Sequence, residues 1–409
     1  MATISTSSSG APAQTKTIFQ SEIGYWATCV THFFIDFLNN GRSILMALLA
    51  ISLGMSNGQV GLILVIYNVG NALSQPFFGW LTDRVGPKKL VVGGMMWMVI
   101  FSILTAILPS WWAVVSLTCA GLGSGMFHPA GTTFATRPDF ARRNLATGLF
   151  FFFGSAGLFM GPIAAGYFLE LWGRQGYLLS AGIASIAFFF GLIAISDSWF
   201  HDQLSLEIKE VYPKEESPNQ SQFKFGWRFI PVLLTIIGYS SVGIIIMTYL
   251  PKFLIEEGVA VSYAGWVTGA YLFGTMLGTL SGGMLADYTQ GRNIILLGMA
   301  GTILPLWFGI PAVGTLQITL LFSSGFFAAL PHSVLVLLIQ SFFPKGRGFA
   351  SGLALGGMFF TGSIFSYFAG ILADQISLEF TLQGAGIFPL IAVCMVFLLP
   401  IPNRSTATS

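Results

Sequence analysis

The sequence predicts an all-α membrane protein, with twelve transmembrane helices in two pseudo-symmetric six-helix bundles and both termini cytoplasmic. Three observations predict it. The 409-residue chain is 54% hydrophobic and only 8% charged, with a mean hydropathy of +0.76, whereas a soluble domain carries about 25% charged residues. Its apolar runs are long and do not alternate polar with apolar, as stretches 188–195 and 391–399 show. That favours helices of about 20 residues over barrel strands, because lipid leaves no other way to satisfy the backbone. Finally, the frame Gly-x-x-x-Asp/Glu closes an apolar run four times, at Gly79…Asp83, Gly166…Glu170, Gly283…Asp287 and Gly370…Asp374. Gly283 lies 204 positions after Gly79, and Gly370 lies 204 after Gly166. His128, Arg143, Ala146 and Gly148 return at the same offset as His332, Arg347, Ala350 and Gly352. A repeat in register across unlike residue types means two halves of one design.

In chain order, residues 1–22 are rich in Ser, Thr and Ala and read as a disordered tail. They lack the short apolar core and cleavage pattern of a signal peptide. Spans are expected near 23–51, 57–81, 88–108, 111–135, 142–171, 176–197, 227–255, 262–287, 292–312, 315–342, 347–374 and 381–402. The one long polar connection, 198–226, separates an N-terminal bundle (23–197) from a C-terminal bundle (227–402), and residues 403–409 form a short tail. Placing the tails and loops 2–3, 4–5, 6–7, 8–9 and 10–11 inside collects every one of the 18 Lys and Arg except Arg42, Arg174 and Lys252. Cationic loops stay cytoplasmic, so both termini are expected there. Cys29, Cys119 and Cys394 lie inside apolar runs, with no CxxC or Cys/His spacing, so neither a disulfide framework nor a metal site is expected.

Five ionisable residues fall within spans: His32, Asp36, Arg42, His128 and His332. Each costs about 2.5–3.5 kcal/mol on insertion scales and is therefore a functional candidate. His32 and Asp36 are spaced i, i+4 on one helix face, with Asn39 and Arg42 continuing it. This pair is the expected proton-carrying site; the bland alternative is a buried pair that holds the first helix to a neighbour. His128-Pro129 and Pro331-His332 occupy equivalent places in the halves. Two such residues face each other across a midplane cavity if both point inward. Arg42, His128, His332, Asn39, Asn68, Asn71 and Gln340 are the expected substrate contacts, although polar side chains also serve as glue between helices.

The stretch Gly79-Trp-Leu-Thr-Asp83-Arg84-Val-Gly86-Pro87-Lys88-Lys89 resembles the loop 2–3 signature of the major facilitator superfamily, with Pro87 in place of its first basic residue. The resemblance implies a conformational latch made by Gly79, Asp83, Arg84, Gly86 and Lys88. Gly148, Gly157, Gly161, Pro162 and Gly166 resemble the helix-5 motif of drug–proton antiporters, its final Gly-Gly appearing as Ala165-Gly166. Small residues there also let helices pack closely, and Pro162 permits a bend. His32…Asp36 and Phe127-His128-Pro129 resemble fosmidomycin-resistance-type exporters. The helix-4 Arg of many antiporters is absent, since Leu117 and Cys119 stand at its candidate positions.

What the resemblance implies is a secondary transporter working by alternating access, exporting a small amphiphilic or anionic compound in exchange for protons. Its partners are then the cargo, protons and the lipid bilayer, with no cofactor and no nucleic acid. It would act as a monomer, a multi-pass protein of a bacterial cytoplasmic membrane. Two rivals stand beside this reading: proton-coupled import of an organic or inorganic anion, and a non-transporting receptor or assembly factor of the same fold. An enzyme is not expected, because the chain shows no phosphate loop, nucleophile elbow or metal spacing.

Overall fold

A computed structural model describes residues 23–136, 143–196, 229–341 and 347–399, all of them helices and their connections. The expected tails, the central loop 198–226 and the loops at 137–142 and 342–346 lie outside the described residues. The N-terminal half contains α1 (Ile23–Ser52), α2 (Asn57–Val85), α3 (Pro87–Ile107), α4 (Ser110–Ala135), α5 (Arg143–Trp172) and α6 (Tyr177–Ala194). The C-terminal half contains α7 (Phe229–Glu256), α8 (Val261–Ala286), α9 (Gly291–Gly309), α10 (Gly314–Ala329), α11 (His332–Ser341), α12 (Arg347–Gln375), α13 (Leu378–Gly384) and α14 (Ile387–Met395). Among the described residues, eight helical stretches are long and apolar enough to cross a membrane, by length and composition; α4, α8 and α12 are of similar length but outside that set.

Local sequence sets the boundaries. Ser56 opens α2 with a capping box: its hydroxyl accepts from Gln59 N at 3.2 Å, and Gln59 Oε1 accepts from Ser56 N at 3.0 Å. Gly86 turns the chain between α2 and α3 at φ +87°, a conformation that favours glycine, and Pro87 then takes the first helical position. The tenth expected span is divided into α10 and α11 at Leu330-Pro331. Proline has no N–H to give Phe327 O, and that carbonyl instead takes Leu330 N at 3.3 Å in a tightened last turn. Pro129, which follows rather than precedes the equivalent His128, sits inside an unbroken α4. The twelfth span is likewise divided, into α13 and α14, one turn before Pro389.

The halves meet through α2 against α12 and α5 against α8, with α1 against α7. Glycines make the first two crossings close. A Cβ on Gly61 would lie 2.8 Å from Tyr367 Cα, and one on Gly265 would lie 3.1 Å from Gly166 Cα. Gly61 and Gly265 are themselves 204 positions apart, so the two crossings are related by the internal repeat. Eighteen residues along each helix, about five turns, the same face returns. There a Cβ on Gly79 would meet only Pro129 at 3.7 Å, one on Gly283 only Ser333 at 3.4 Å, and one on Gly148 nothing within 4 Å. Among the described residues, then, the two crossings are close at the α1–α2 end, and α5 and α8 part toward the opposite end; the side chains of α12 at that end lie outside the described residues. The expected cytoplasmic latch lies at that parted end. Asp83 and Arg84 are exposed there, and Arg84 stacks over the Trp80 ring at 4.0 Å.

Candidate functional site

The i, i+4 spacing of His32 and Asp36 does what helix geometry allows: Nε2 of His32 lies 3.2 Å from Oδ2 of Asp36. The carboxylate has a second imidazole at its other oxygen, since Nε2 of His128 on α4 is 3.5 Å from Oδ1. Each ring is pinned from behind. Nδ1 of His32 donates to Phe150 O at 2.8 Å, and Nδ1 of His128 donates to Ser124 O at 2.8 Å. A carbonyl oxygen only accepts, so each Nδ1 carries the hydrogen, and a neutral ring would aim the bare Nε2 lone pair at a carboxylate. Each Nε2–Asp36 contact therefore calls for a proton of its own. Chemically, three such groups in a small volume can hold a proton and pass it from one to another.

Packing fixes the geometry. The His32 ring stacks on Phe150 at 4.0 Å between centroids, with His128 edge-on at 5.3 Å. Gly154 on α5 provides the room, because a Cβ there would lie 2.5 Å from His32 Cε1 and 2.9 Å from Asp36 Oδ2. Side-chain exposure is 3% for His32, 8% for Asp36 and 26% for His128, so His128 is the way in.

A polar network extends from this triad toward α2. Asn39 donates to Ser124 Oγ at 3.3 Å and accepts from Tyr67 Oη, while the Arg42 guanidinium lies 3.6 Å above the Tyr67 ring. Arg42 Nε is buried with no hydrogen-bond partner among the described residues. It is a donor in a water-poor setting, suited to an anionic group. Asn71 reaches the same Ser124 Oγ at 3.5 Å and accepts from Gln75 at 3.3 Å. Asn68 turns away from that cluster and donates to Ser363 Oγ across the halves at 2.7 Å. His332 is held within its own half, Nδ1 against Tyr239 Oη at 2.8 Å. It shares no hydrogen bond with His128, so the equivalent histidines have different partners. Gln340 is in α11, but its side chain lies outside the described residues.

The helix-5 glycines serve close packing at two surfaces. A Cβ on Gly161 would lie 2.9 Å from Gly41 N, and one on Gly157 would lie 2.9 Å from Phe33 C, both on α1. Gly166 faces α8, with Pro162 O against Gly265. Sequence reasoning missed Ser124, Phe150, Tyr67 and Gly154. Ser124 could have been found, four residues before His128 on the same face; Gly154 is one of 49 glycines and carries no local signal.

His32, Asp36 and His128 could also hold a metal ion, since one ligand atom from each lies within 4.8 Å of the others. The expectation of no metal site rested on spacing along the chain, and this group is assembled from α1 and α4.

The profile of the major facilitator superfamily matches residues 28–256 and again 231–409. The chain belongs to that superfamily. It is therefore an integral membrane protein of a transporter family. It is 24% identical over 384 residues to the fosmidomycin resistance protein of Escherichia coli K12, covering 91% of each chain. It is 28% identical over 381 residues to the MFS-type transporter YfnC of Bacillus subtilis 168, again 91% of each. Among solved structures, a bacterial homologue of the human lysosomal transporter Spinster, in an inward-facing and unoccupied conformation, superposes with a TM-score of 0.73. That match covers 92% of this chain and 96% of the other at 13% identity, which speaks for the shared fold. The resemblance to fosmidomycin-resistance-type proteins thus extends over nearly the whole chain.

Proposed function

We propose that this protein exports a small amphiphilic or anionic compound across a bacterial cytoplasmic membrane in exchange for protons, by alternating access of two six-helix bundles with both termini cytoplasmic. The observation that carries the proposal is Asp36 held between His32 and His128, at 3.2 and 3.5 Å, with both rings pinned by main-chain carbonyls. Three ionisable groups inside a membrane protein are expensive to insert unless they work. Protonation of the triad and binding of a group beside Arg42 and His128 both engage the Nε2 edge of His128, so occupancy by one changes affinity for the other. Exchange requires that coupling to be negative, each ligand releasing the other. His332 with Tyr239 supplies donors from the opposite half, and Asn68, Asn71 and Asn39 line the route between them. The relative named for fosmidomycin resistance supports an outward direction.

Purified protein in proteoliposomes, with a pH dye in the lumen, tests this when a panel of amphiphilic anions is added outside. Alkalinisation of the lumen by one compound means exchange, as proposed. Acidification means uptake together with protons, and the export reading fails. Counterflow of a compound with no pH change means that protons are not coupled.

A further inference from the structure

Away from the triad, at the end where α1 passes into α2, two carboxylates cross from one half of the molecule to the other. Asp374, in the last turn of α12, accepts from the backbone N–H of Asn57 at 2.7 Å and of Gly58 at 2.8 Å, the first residues of α2. Glu170, in the last turn of α5, accepts from the backbone N–H of Ser262 at 2.7 Å, in the first turn of α8. Asp374 follows Glu170 by 204 positions, and Ser262 follows Gly58 by 204. One contact is used twice, once in each direction across the pseudo-symmetry axis. Each acid is preceded by the glycine of its repeated frame. A Cβ on Gly370 would lie 2.5 Å from Asn57 O, and one on Gly166 would lie 2.9 Å from Val261 O. The glycine lets the helices approach, and the acid four residues on reaches the N–H groups that a helix start leaves without internal partners. A negative charge there gains from both the hydrogen bond and the helix dipole.

We propose that Glu170 and Asp374 are the paired residues that hold this mouth shut, and that the contacts of both must release before the protein opens on this side. The two are unequal. Asp374 makes two bonds, and its partner Asn57 is held further by Lys252 Nζ at 2.9 Å and Tyr249 Oη at 3.2 Å. Lys252 is buried, at 3% exposure, and is itself paired with Glu256 at 2.5 Å. Glu170 makes one backbone bond. The α5–α8 crossing has a further bond of its own, Trp266 Nε1 donating to Tyr167 Oη at 3.0 Å, so of the two acids Asp374, with two backbone bonds against one, is the stronger hold. The repeated frame at Gly166…Glu170 and Gly370…Asp374, which on sequence alone reads as punctuation at helix ends, takes on a mechanical role.

This inference rests on the alternating-access reading, but its test involves neither protons nor cargo, so failure of one is distinguishable from failure of the other. Spin labels at Gln175→Cys and Ile376→Cys, both exposed at this end, report the separation of the halves when Cys29, Cys119 and Cys394 are replaced. Pulsed dipolar distances are compared in otherwise unaltered protein, Glu170→Gln, Asp374→Asn and the double variant. Both acids are exposed, so each charge has a modest effect: about twofold more of the long-distance population for Glu170→Gln, about fivefold for Asp374→Asn, and about tenfold for both. An unchanged distribution in the double variant overturns the proposal, and a larger effect from Glu170→Gln than from Asp374→Asn overturns the ranking of the two acids. Elution as unaltered protein establishes folding. Should Asp374→Asn fail to fold, Glu170→Gln decides alone: a twofold shift supports the lock and no shift overturns it.

Discussion

Gly154→Ala tests whether the triad depends on the tight seat that α5 gives it. The new methyl would fall on the His32 ring, 2.5 Å from Cε1, and 2.9 Å from Asp36 Oδ2. Neither group can move freely: His32 is stacked on Phe150 and bonded to Phe150 O, and Asp36 is bonded to both histidines. Overpacking of this kind costs about 1–3 kcal/mol. Alanine recovers about 1 kcal/mol of helix propensity, so the fold should survive with a net loss of about 0–2 kcal/mol. The triad is affected more than the fold. Relief by rotating His32 forfeits its carbonyl bond, about 1 kcal/mol, and its charge-assisted contact with Asp36, about 1.5–3 kcal/mol. At about 2.5–4 kcal/mol together, these losses should lower coupled proton flux by about 70- to 900-fold. The assay is the initial rate of lumenal pH change in proteoliposomes, beside a thermal melt in detergent. Gly148→Ala is the control, because a Cβ there meets nothing within 4 Å. Equal flux in Gly154→Ala and unaltered protein, or an equal loss in Gly148→Ala, would refute the reasoning.

Other expectations follow from the same contacts. His128→Gln removes one of the two Asp36 partners and the exposed edge of the triad, and should lower both proton flux and cargo affinity. His332→Gln, bonded to Tyr239 and not to the triad, should raise KM for cargo while leaving the proton-to-cargo ratio intact; a changed ratio would put His332 in the proton path. Asn68→Ala removes the bond to Ser363 between the halves, and should cost only about 0.6 kcal/mol in stability, as typical polar contacts in membrane proteins do. Gly265→Val places its branches against Pro162 and Gly166 of the other half. It should lower the melting temperature and increase labelling of cysteines placed at the α1–α2 end.

Much of the architecture was legible because membrane helices announce themselves by length and the repeat is gapless across the 204-residue offset. His32 with Asp36 was legible for the same reason, since i, i+4 is a property of a single helix. What was not legible depends on how helices are rotated against one another. His128 and His332 are equivalent in sequence, yet one turns to Asp36 and the other to Tyr239. The repeat fixes only where the backbone runs, and the halves differ in what they place opposite: the counterpart of Asp36 is Ser240. The prolines beside these histidines differ already in sequence, Pro129 following His128 inside a continuous helix and Pro331 preceding His332 at a break. Asn68 and Asn71 form one polar stripe in sequence, but their bonds run to opposite halves.

The central claim is that Asp36 carries the exchanged proton, and Asp36→Asn tests it most directly when two fluxes are measured in the same vesicles. The amide keeps the size and can still bond to an imidazole, but it cannot ionise. Counterflow of labelled cargo against unlabelled cargo should persist, while cargo-driven pH change falls to the level of empty liposomes. Undiminished pH change in Asp36→Asn, at unaltered counterflow, would contradict the claim and move the proton to another group.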